Sequence, residues 1–521
     1  MSNLHECTFY RNDLTDGITT LHLQNKSIPA LLAVCSTPAC FCNLQCGTFS
    51  LKDNGMQENA APQEHPQQSE SIYAGPRGTA VKILNRVERS DAYLDKLLDA
   101  ELSSDAMNEL DKGLMNEIVT GVIRWKMKLD WVLTGFFHGN FTKAETNIKN
   151  ALRVALYQIQ FLDRVPHSAA VNEAVEFIKR MRGQKVGDLV NAVLRNILRN
   201  IENIRYPDQE EDKIRHLAVI ESHPVWMTKR WVERYGYDEA KLMMEANNSI
   251  PDLALRINRL KVDLNYFFSL LDKNQIQYTR SQYFDFFVRV QHMAGIGRSE
   301  LFKQGYFSVQ DESAGIPVLL LDPKQGERVI DLCSAPGGKT TFIGELMKNS
   351  GEIIAVDRYE TRLNLVKNAC QRLGITNVHL VAEDGAILEI PPADKVLVDA
   401  PCSGLGVLSK KPDAKWKRDV DDIQKLVHLQ SSLLENAAKL VKPGGVLVYS
   451  TCTIEPEENF DLIKEFLVRH LEFSIEPANM FVHQNFVGSQ GQVETFQHKH
   501  GMDGSFSVRL KKKQEATMIE V

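Results

Sequence analysis

The spacing of hydrophobic positions changes twice along the 521-residue chain. In VNEAVEFIKRM, Val171, Ala174, Val175 and Ile178 recur at intervals of three and four, which places them on one face of an α-helix. VGDLVNAVLRNILRN repeats the pattern with Leu189, Val190, Val193, Leu194 and Ile197, while Asp188, Asn191, Arg195 and Arg199 fall on the opposite stripe. This period runs through residues 76–205 and predicts an all-α bundle of about seven helices. Over 206–300 the signals mix: LALRINRL alternates as a strand does and LNYFFSLLDKNQI suits a helix, so a small α+β connecting region is expected. From 301 to 513 short β-branched runs alternate with turns and helical stretches, the order of a doubly wound parallel sheet. The expected fold is therefore a Rossmann-like α/β domain preceded by an all-α domain and an α+β linker, with 514–521 as a short tail. Residues 1–75 show neither period and end in the polar run NGMQENAAPQEHPQQSES, which predicts a disordered tail. Met56, inside it, is an alternative translation start.

Composition adds limits rather than an identity. Hydrophobic residues at 43% and charged residues at 25% are those of an ordinary globular protein. No apolar run approaches the roughly 18 residues of a membrane span, and the first residues lack a secretory pattern. Nine cysteines without a compact pairing pattern point to free thiols in a reducing cytoplasm. Four of them, Cys35, Cys40, Cys42 and Cys46, crowd into CSTPACFCNLQC, but not as two Cys-x-x-Cys knuckles, which weakens a zinc reading. The net charge of −6 argues against a protein coated in positive charge, yet a local basic stripe still binds phosphates. Lys179, Arg180, Arg182, Lys185, Arg195 and Arg199 form one candidate stripe in the helical region. Its plainer reading is a solvated helix face; the alternative is an RNA-facing surface. A monomer is the default expectation.

The chemistry concentrates after residue 301. RVIDLCSAPGGKTTFIGELM reads as strand, glycine turn and helix, and EIIAVDRYE adds a second strand ending at Asp357. NVHLVAEDG leads to Asp384, KVLVDAPC to Asp399 and Cys402, and GGVLVYSTC to Cys452. Ligands of such sheets bind at the carboxyl ends of the strands, where all these residues lie. A phosphate loop would need glycine where Cys333 stands, and a dinucleotide site would need G-x-G-x-x-G in place of C-S-A-P-G-G-K. S-adenosylmethionine remains: it needs close backbone approach, supplied by Gly337 and Gly338, and acids such as Asp357 and Asp384 for the ribose and near the adenine. Amino-nitrogen methylases carry an aromatic residue where this chain has Cys402. Methylating carbon-5 of a pyrimidine instead calls for a thiolate to add at carbon-6 and a second group to help release, which suits two cysteines at neighbouring strand ends. The plainer reading of a single free cysteine is a small buried residue, and Cys370 in RLNLVKNACQRLG is read that way. Pro456 and Glu457 resemble a helix start that would favour a thiolate at Cys452, while Glu455, Glu457 and Glu458 would oppose it.

The segments DLCSAPGGKTT, AVDRYETRL, DAPCSGLGV and YSTCTIEPEEN resemble the motifs of RNA cytosine carbon-5 methyltransferases, and more closely the RsmB (Sun/Fmu) type that modifies small-subunit (16S) ribosomal RNA. The likeness covers about 76–513, taking in HPVWMTKRW, EANN, LALRINR, GYFSVQDESAG and DGSFSVRL, and the helical region resembles the NusB-like RNA-binding fold. It implies that Cys452 attacks carbon-6, that Cys402 assists release, and that Cys333, Ser334, Ala335, Pro336, Gly337, Gly338 and Lys339, with Asp357 and Asp384, hold S-adenosylmethionine. Asp399 would line the space between cofactor and base. DNA cytosine methyltransferases use the P-C cysteine and E-N-V; here P-E-E-N and an additional T-C cysteine favour RNA. A catalytically inactive assembly factor, or an enzyme acting on another RNA such as tRNA, is the alternative. The cysteine-rich first 75 residues have no counterpart in the family pattern.

Overall fold

The computed structural model describes residues 72–90, 92–291 and 295–514. The expected disordered tail, its four clustered cysteines and the C-terminal tail fall almost wholly outside these described residues.

Seven α-helices open the described chain: α1 Gly75–Arg89, α2 Leu94–Leu102, α3 Glu109–Arg124, α4 Lys126–Phe136, α5 Thr146–Phe161, α6 His167–Arg182 and α7 Gln184–Arg199. The stripes seen in the sequence face inward: Val171, Ile178, Val190, Leu194 and Ile197 are all fully buried in one apolar core. α6 and α7 approach closely because Gly187 has no side chain; a Cβ there would meet the Lys179 stem at 2.3 Å. Of the basic stripe, Lys179 pairs with Glu176 at 2.9 Å and Arg182 with Glu145, whereas Arg180, Lys185, Arg195 and Arg199 are exposed.

Three helices follow, α8 Lys213–Ile220, α9 Val225–Tyr235 and α10 Tyr237–Asn248. A small antiparallel sheet comes next, ordered β2-β3-β1-β4, from β1 Leu253–Ile257, β2 Tyr278–Arg280, β3 Phe287–Val290 and β4 Phe307–Val309. α11 Leu264–Lys273 packs on it through Phe267, Phe268 and Leu271. The sheet extends past residue 300, because β4 pairs with the free edge of β1 through Leu255↔Val309 and Ile257↔Phe307. The short α12 Glu300–Lys303 leads into β4.

The large sheet has the order β10-β12-β9-β8-β5-β6-β7, with β11 beside β12. Its strands are β5 Arg328–Asp331, β6 Glu352–Val356, β7 Val378–Val381, β8 Ala393–Asp399, β9 Val441–Thr451, β10 Phe473–Ile475, β11 Val493–Thr495 and β12 Ser505–Lys512. β5 through β9 run parallel and are covered on both faces, so Val396, Leu397 and Val398 are consecutive and all fully buried. α13 Glu312–Leu321, α14 Gly338–Leu346 and α15 Glu360–Leu373 serve one face. α17 Val420–Leu440 and α18 Phe460–Arg469 serve the other, while the short α16 Ala414–Lys417 and α19 Gln497–His500 lie in connections. Cys370 is buried among Leu363, Val366 and Leu373, as its helical setting indicated. Among the described residues no helix is long and apolar enough to cross a membrane.

The small sheet is fixed to the large one by a buried ion pair. Arg256 of β1, 1% exposed, pairs with Glu345 of α14, donates to Gln310 Oε1 at 2.6 Å and covers the Phe342 ring at 4.5 Å. Removing the carboxylate strands a buried cation, so Glu345→Ala should lower folding stability by about 3–5 kcal/mol, read as a drop in denaturation midpoint.

Candidate active site

The first two parallel strands from the sheet centre meet the loop that sequence marked for a cofactor. β5 ends at Asp331, the chain turns through Cys333–Gly337, and α14 begins at Gly338. Ser334 anchors the turn by donating its N–H (2.9 Å) and hydroxyl (3.0 Å) to Val356 O at the end of β6. Arg362 donates to Ala335 O at 3.1 Å. Gly337 has φ +106°, and a Cβ there would lie 3.0 Å from the Val366 backbone, so glycine alone fits. Pro336 stands exposed on the turn. Asp357 closes β6, with its carboxylate accepting Tyr359 N–H and pairing with Arg362 at 3.1 Å. Asp384 lies just past β7, half-buried, capping Ala386 N–H.

Asp331 was not singled out in the sequence, yet it sits under this loop. It accepts the Thr340 hydroxyl at 2.7 Å on Oδ2, its Oδ1 is buried without a partner, and burial pushes the carboxyl up to about 7. The Cys333 thiol is pushed up as well, first by burial and then by Asp331, Asp399 and Asp357. Three carboxylates thus converge on one thiol. Acids placed here accept from hydroxyl and amino groups, which S-adenosylmethionine carries on its ribose, adenine and amino-acid ends. The donor set and the glycine cradle fit that molecule.

The two cysteines come together because β8 and β9 are parallel neighbours, paired up to Asp399↔Ser450. Beyond that pair, Cys402 Sγ lies 3.0 Å from Cys452 Sγ and accepts the Cys452 N–H at 3.2 Å. Cys402 is partly covered and Cys452 exposed. Lys339 reaches across from α14 to Asp399 Oδ2 at 2.6 Å, and Ser450 donates to Asp399 Oδ1 at 2.9 Å. Lys339 is thereby tied to the acid at the end of β8 rather than to the backbone of its own loop.

The pair is polarised. Donation from the Cys402 thiol lowers the Cys452 pKa below that of an ordinary cysteine, helped by Lys339 and Lys411 and opposed by burial and Asp399. Cys402 moves the other way, held protonated by its hydrogen bond to Cys452, by burial and by Glu458. The helix start read at Pro456 is a single 3₁₀ turn, Pro456–Glu458, and α18 begins only at Phe460; neighbouring side chains rather than a helix end favour the thiolate. Two of the three acids read as opposing the thiolate are charge-paired. Glu455, fully buried, accepts Trp231 Nε1 at 2.9 Å, Arg230 Nε at 2.5 Å and Arg234 at 3.1 Å, and Glu457 pairs with Arg230. Arg230 and Trp231 close the segment HPVWMTKRW quoted above for its family likeness, but nothing in the sequence tied them to Glu455.

The loop after Cys402 leans on the helical domain. Arg124 donates to Ser409 O at 2.8 Å, Trp416 Nε1 to Ile123 O at 2.7 Å and Lys417 to Ala92 O at 2.7 Å.

Comparison with known proteins now decides the affiliation. Residues 318–511 match the family model described as 16S rRNA methyltransferase RsmB/F, 75–199 match the NusB family, and 223–296 match the ferredoxin-like domain of RsmF/B-like methyltransferases. The probable ribosomal RNA small subunit methyltransferase B of Bacillus subtilis is 36% identical over 446 residues, spanning 84% of this chain and 98% of that protein. The chain belongs to the RsmB/F family of methyltransferases. The corresponding Synechocystis protein is 34% identical over 84% of this chain and 99% of its own length. Among solved structures, PH0851 superposes with a TM-score of 0.72 at 28% identity, covering 84% of this chain and 99% of that one. NSun6 from Pyrococcus horikoshii, crystallised with SFG, gives 0.51 at 25% identity, covering 57% of this chain and all of its own.

A lowered pKa keeps Cys452 ionised at lower pH than a free thiol. Near neutral pH, iodoacetamide should therefore label Cys452 before Cys333, Cys370 or Cys402, as mapped by peptide mass. Lys339→Met should shift the pH midpoint of Cys452 labelling upward by removing the cation that favours its thiolate.

Proposed function

We propose that this RsmB/F-family RNA methyltransferase methylates carbon-5 of a cytosine in small-subunit (16S) ribosomal RNA through a covalent Cys452–cytosine adduct, in the cytoplasm and on RNA not yet fully assembled. The observation that carries the reading is the polarised pair of thiols at the ends of β8 and β9, beside an acid-lined glycine turn. The names of the relatives above, and the SFG bound by NSun6, support the substrate class and the cofactor.

S-adenosylmethionine, held by the Cys333–Lys339 turn with Asp357 and Asp384, supplies an electrophilic methyl group. Everything else falls to side chains of the chain. The target base must first leave its stack, at a cost of a few kcal/mol. Asp399, oriented by Ser450 and Lys339, faces the ring edge and orients it. The Cys452 thiolate adds to carbon-6, and the electrons displaced from the double bond make carbon-5 the nucleophile that takes the methyl group. With Cys452 now a thioether, Cys402 loses the anion that held its proton and releases that proton to solvent, to which the site is open. The Cys402 sulfur then removes the carbon-5 proton, the double bond re-forms, and Cys452 departs as thiolate. One proton is lost overall and the S–H···S⁻ pair is restored.

Cys402→Ala should therefore trap a protein–RNA adduct that survives denaturing electrophoresis when RNA and S-adenosylmethionine are present. Cys452→Ala should form none. An adduct in the second variant and none in the first would reverse the two roles. Bisulfite sequencing of ribosomal RNA from cells with and without the gene reads the product directly.

A further inference from the structure

Each cysteine is followed by a hydroxyl residue, and the two hydroxyls meet. Ser403 Oγ and Thr453 Oγ1 are 2.7 Å apart, and both residues are buried. Glu458, 0% exposed, lies beneath them. Its carboxylate accepts the Ser403 N–H at 2.8 Å, the Ser403 hydroxyl, and Gln430 Nε2 of α17 at 2.9 Å. Gln430 Nε2 also reaches Pro401 O at 2.9 Å, on the other side of Cys402. Thr453 Oγ1 accepts the Glu455 N–H at 3.3 Å, which leaves its own proton for Ser403. The donors then run one way: Glu455 N–H to Thr453, Thr453 to Ser403, Ser403 to Glu458. Both Glu458 oxygens accept, Oε1 from the Ser403 hydroxyl and Oε2 from the Ser403 N–H and Gln430 Nε2, which an amide with a single acceptor oxygen cannot do.

This chain sits where backbone pairing gives out. Regular β8–β9 register stops at Asp399↔Ser450, and the next backbone links are Ala400 N–H to Ser450 O at 2.9 Å and, beyond the cysteines, Gly406 N–H to Cys452 O at 3.1 Å. Between those links only side chains hold the two cysteine turns together.

We propose that Glu458 is a positioning residue which, through Ser403 and Thr453, clamps the two turns in the register that sets Cys402 against Cys452. The consequence for catalysis rests on the roles assigned above: a loosened clamp impairs release by Cys402 more than attack by Cys452. The same carboxylate helps keep the proton on Cys402, whose other charged neighbour is Cys452 itself.

The test compares wild type with Glu458→Gln, Thr453→Val and Thr453→Ser, each full-length and checked for an unchanged melting temperature. The first readout needs no RNA. Diamide takes one hydrogen from each of two adjacent thiols and is reduced to the hydrazide as the disulfide forms, so the rate of Cys402–Cys452 bridging, followed by mass after alkylation, reports how often the sulfurs meet. Glu458→Gln should slow bridging on the order of tenfold, the scale of one lost hydrogen bond to a charged group, Thr453→Val about fivefold, the scale of a neutral one, and Thr453→Ser should stay near wild type. The second readout is the adduct trapped with RNA and S-adenosylmethionine, which should rise in the two slow variants. Wild-type bridging rates in both would overturn the clamp, and should Glu458→Gln fail to fold, Thr453→Val alone decides it. Slow bridging with no adduct in any variant, Cys402→Ala included, would uphold the clamp and overturn the chemistry assigned to the thiols.

Discussion

Parallel pairing of β8 with β9 is the constraint on which the site depends. Cys402 and Cys452 are fifty residues apart in sequence and have no local reason to meet. The pairing of Asp399 with Ser450 brings the two turns level, and the same pairing presents the Ser450 hydroxyl to the Asp399 carboxylate. A slip of one residue would turn one cysteine toward the opposite face of the sheet. Full burial of Val396, Leu397 and Val398 between two helical layers prevents such a slip, since the strand has no solvent face to exchange for its core faces.

Charge around the site is arranged in two compartments that meet at Asp399. At the turn after β5, burial first and then Asp331, Asp399 and Asp357 keep the Cys333 thiol neutral. On the substrate side Lys339 and Lys411 favour an anion at Cys452. Asp399 belongs to both, and Lys339 neutralises it while leaning toward the thiolate. Cys333 and Cys452 thus have opposite acid–base character, burial dominating at the first and the Cys402 hydrogen bond at the second.

Much of this was legible in the sequence because it depends on local periodicity. The helical stripes of α6 and α7, the strands leading to Asp357 and Asp399, and the burial of Cys370 all follow from spacing over a dozen residues. What was not legible depends on contacts between distant segments. Arg230 meets Glu455 across 225 residues and also pairs with Glu457, so two of the three acids read as hostile to a thiolate have their charge matched. Asp331 was passed over in the sequence, and its buried, half-satisfied carboxylate emerges only when the loop folds over it. The turn at Pro456 carries the signature of a helix start, but Tyr449 donates its hydroxyl to Glu458 O at 2.7 Å and the helix resumes at Phe460. The three-residue strand Phe307–Val309 is too short to announce itself, and it enters the small sheet only because β1 offers an open edge.

The segment from Ser409 to Lys417 forms part of the catalytic domain, yet its backing comes from elsewhere. Trp416 packs into the apolar core of the helical domain and donates its indole N–H to the end of α3, where Arg124 reaches back to Ser409. Cutting the chain between α7 and α8 and discarding the first half would therefore not yield a clean enzyme core. It would bare an indole, remove a buried guanidinium from the backbone it braces and leave the wall beside Cys402 without a foundation, so the two halves make a single mechanical object.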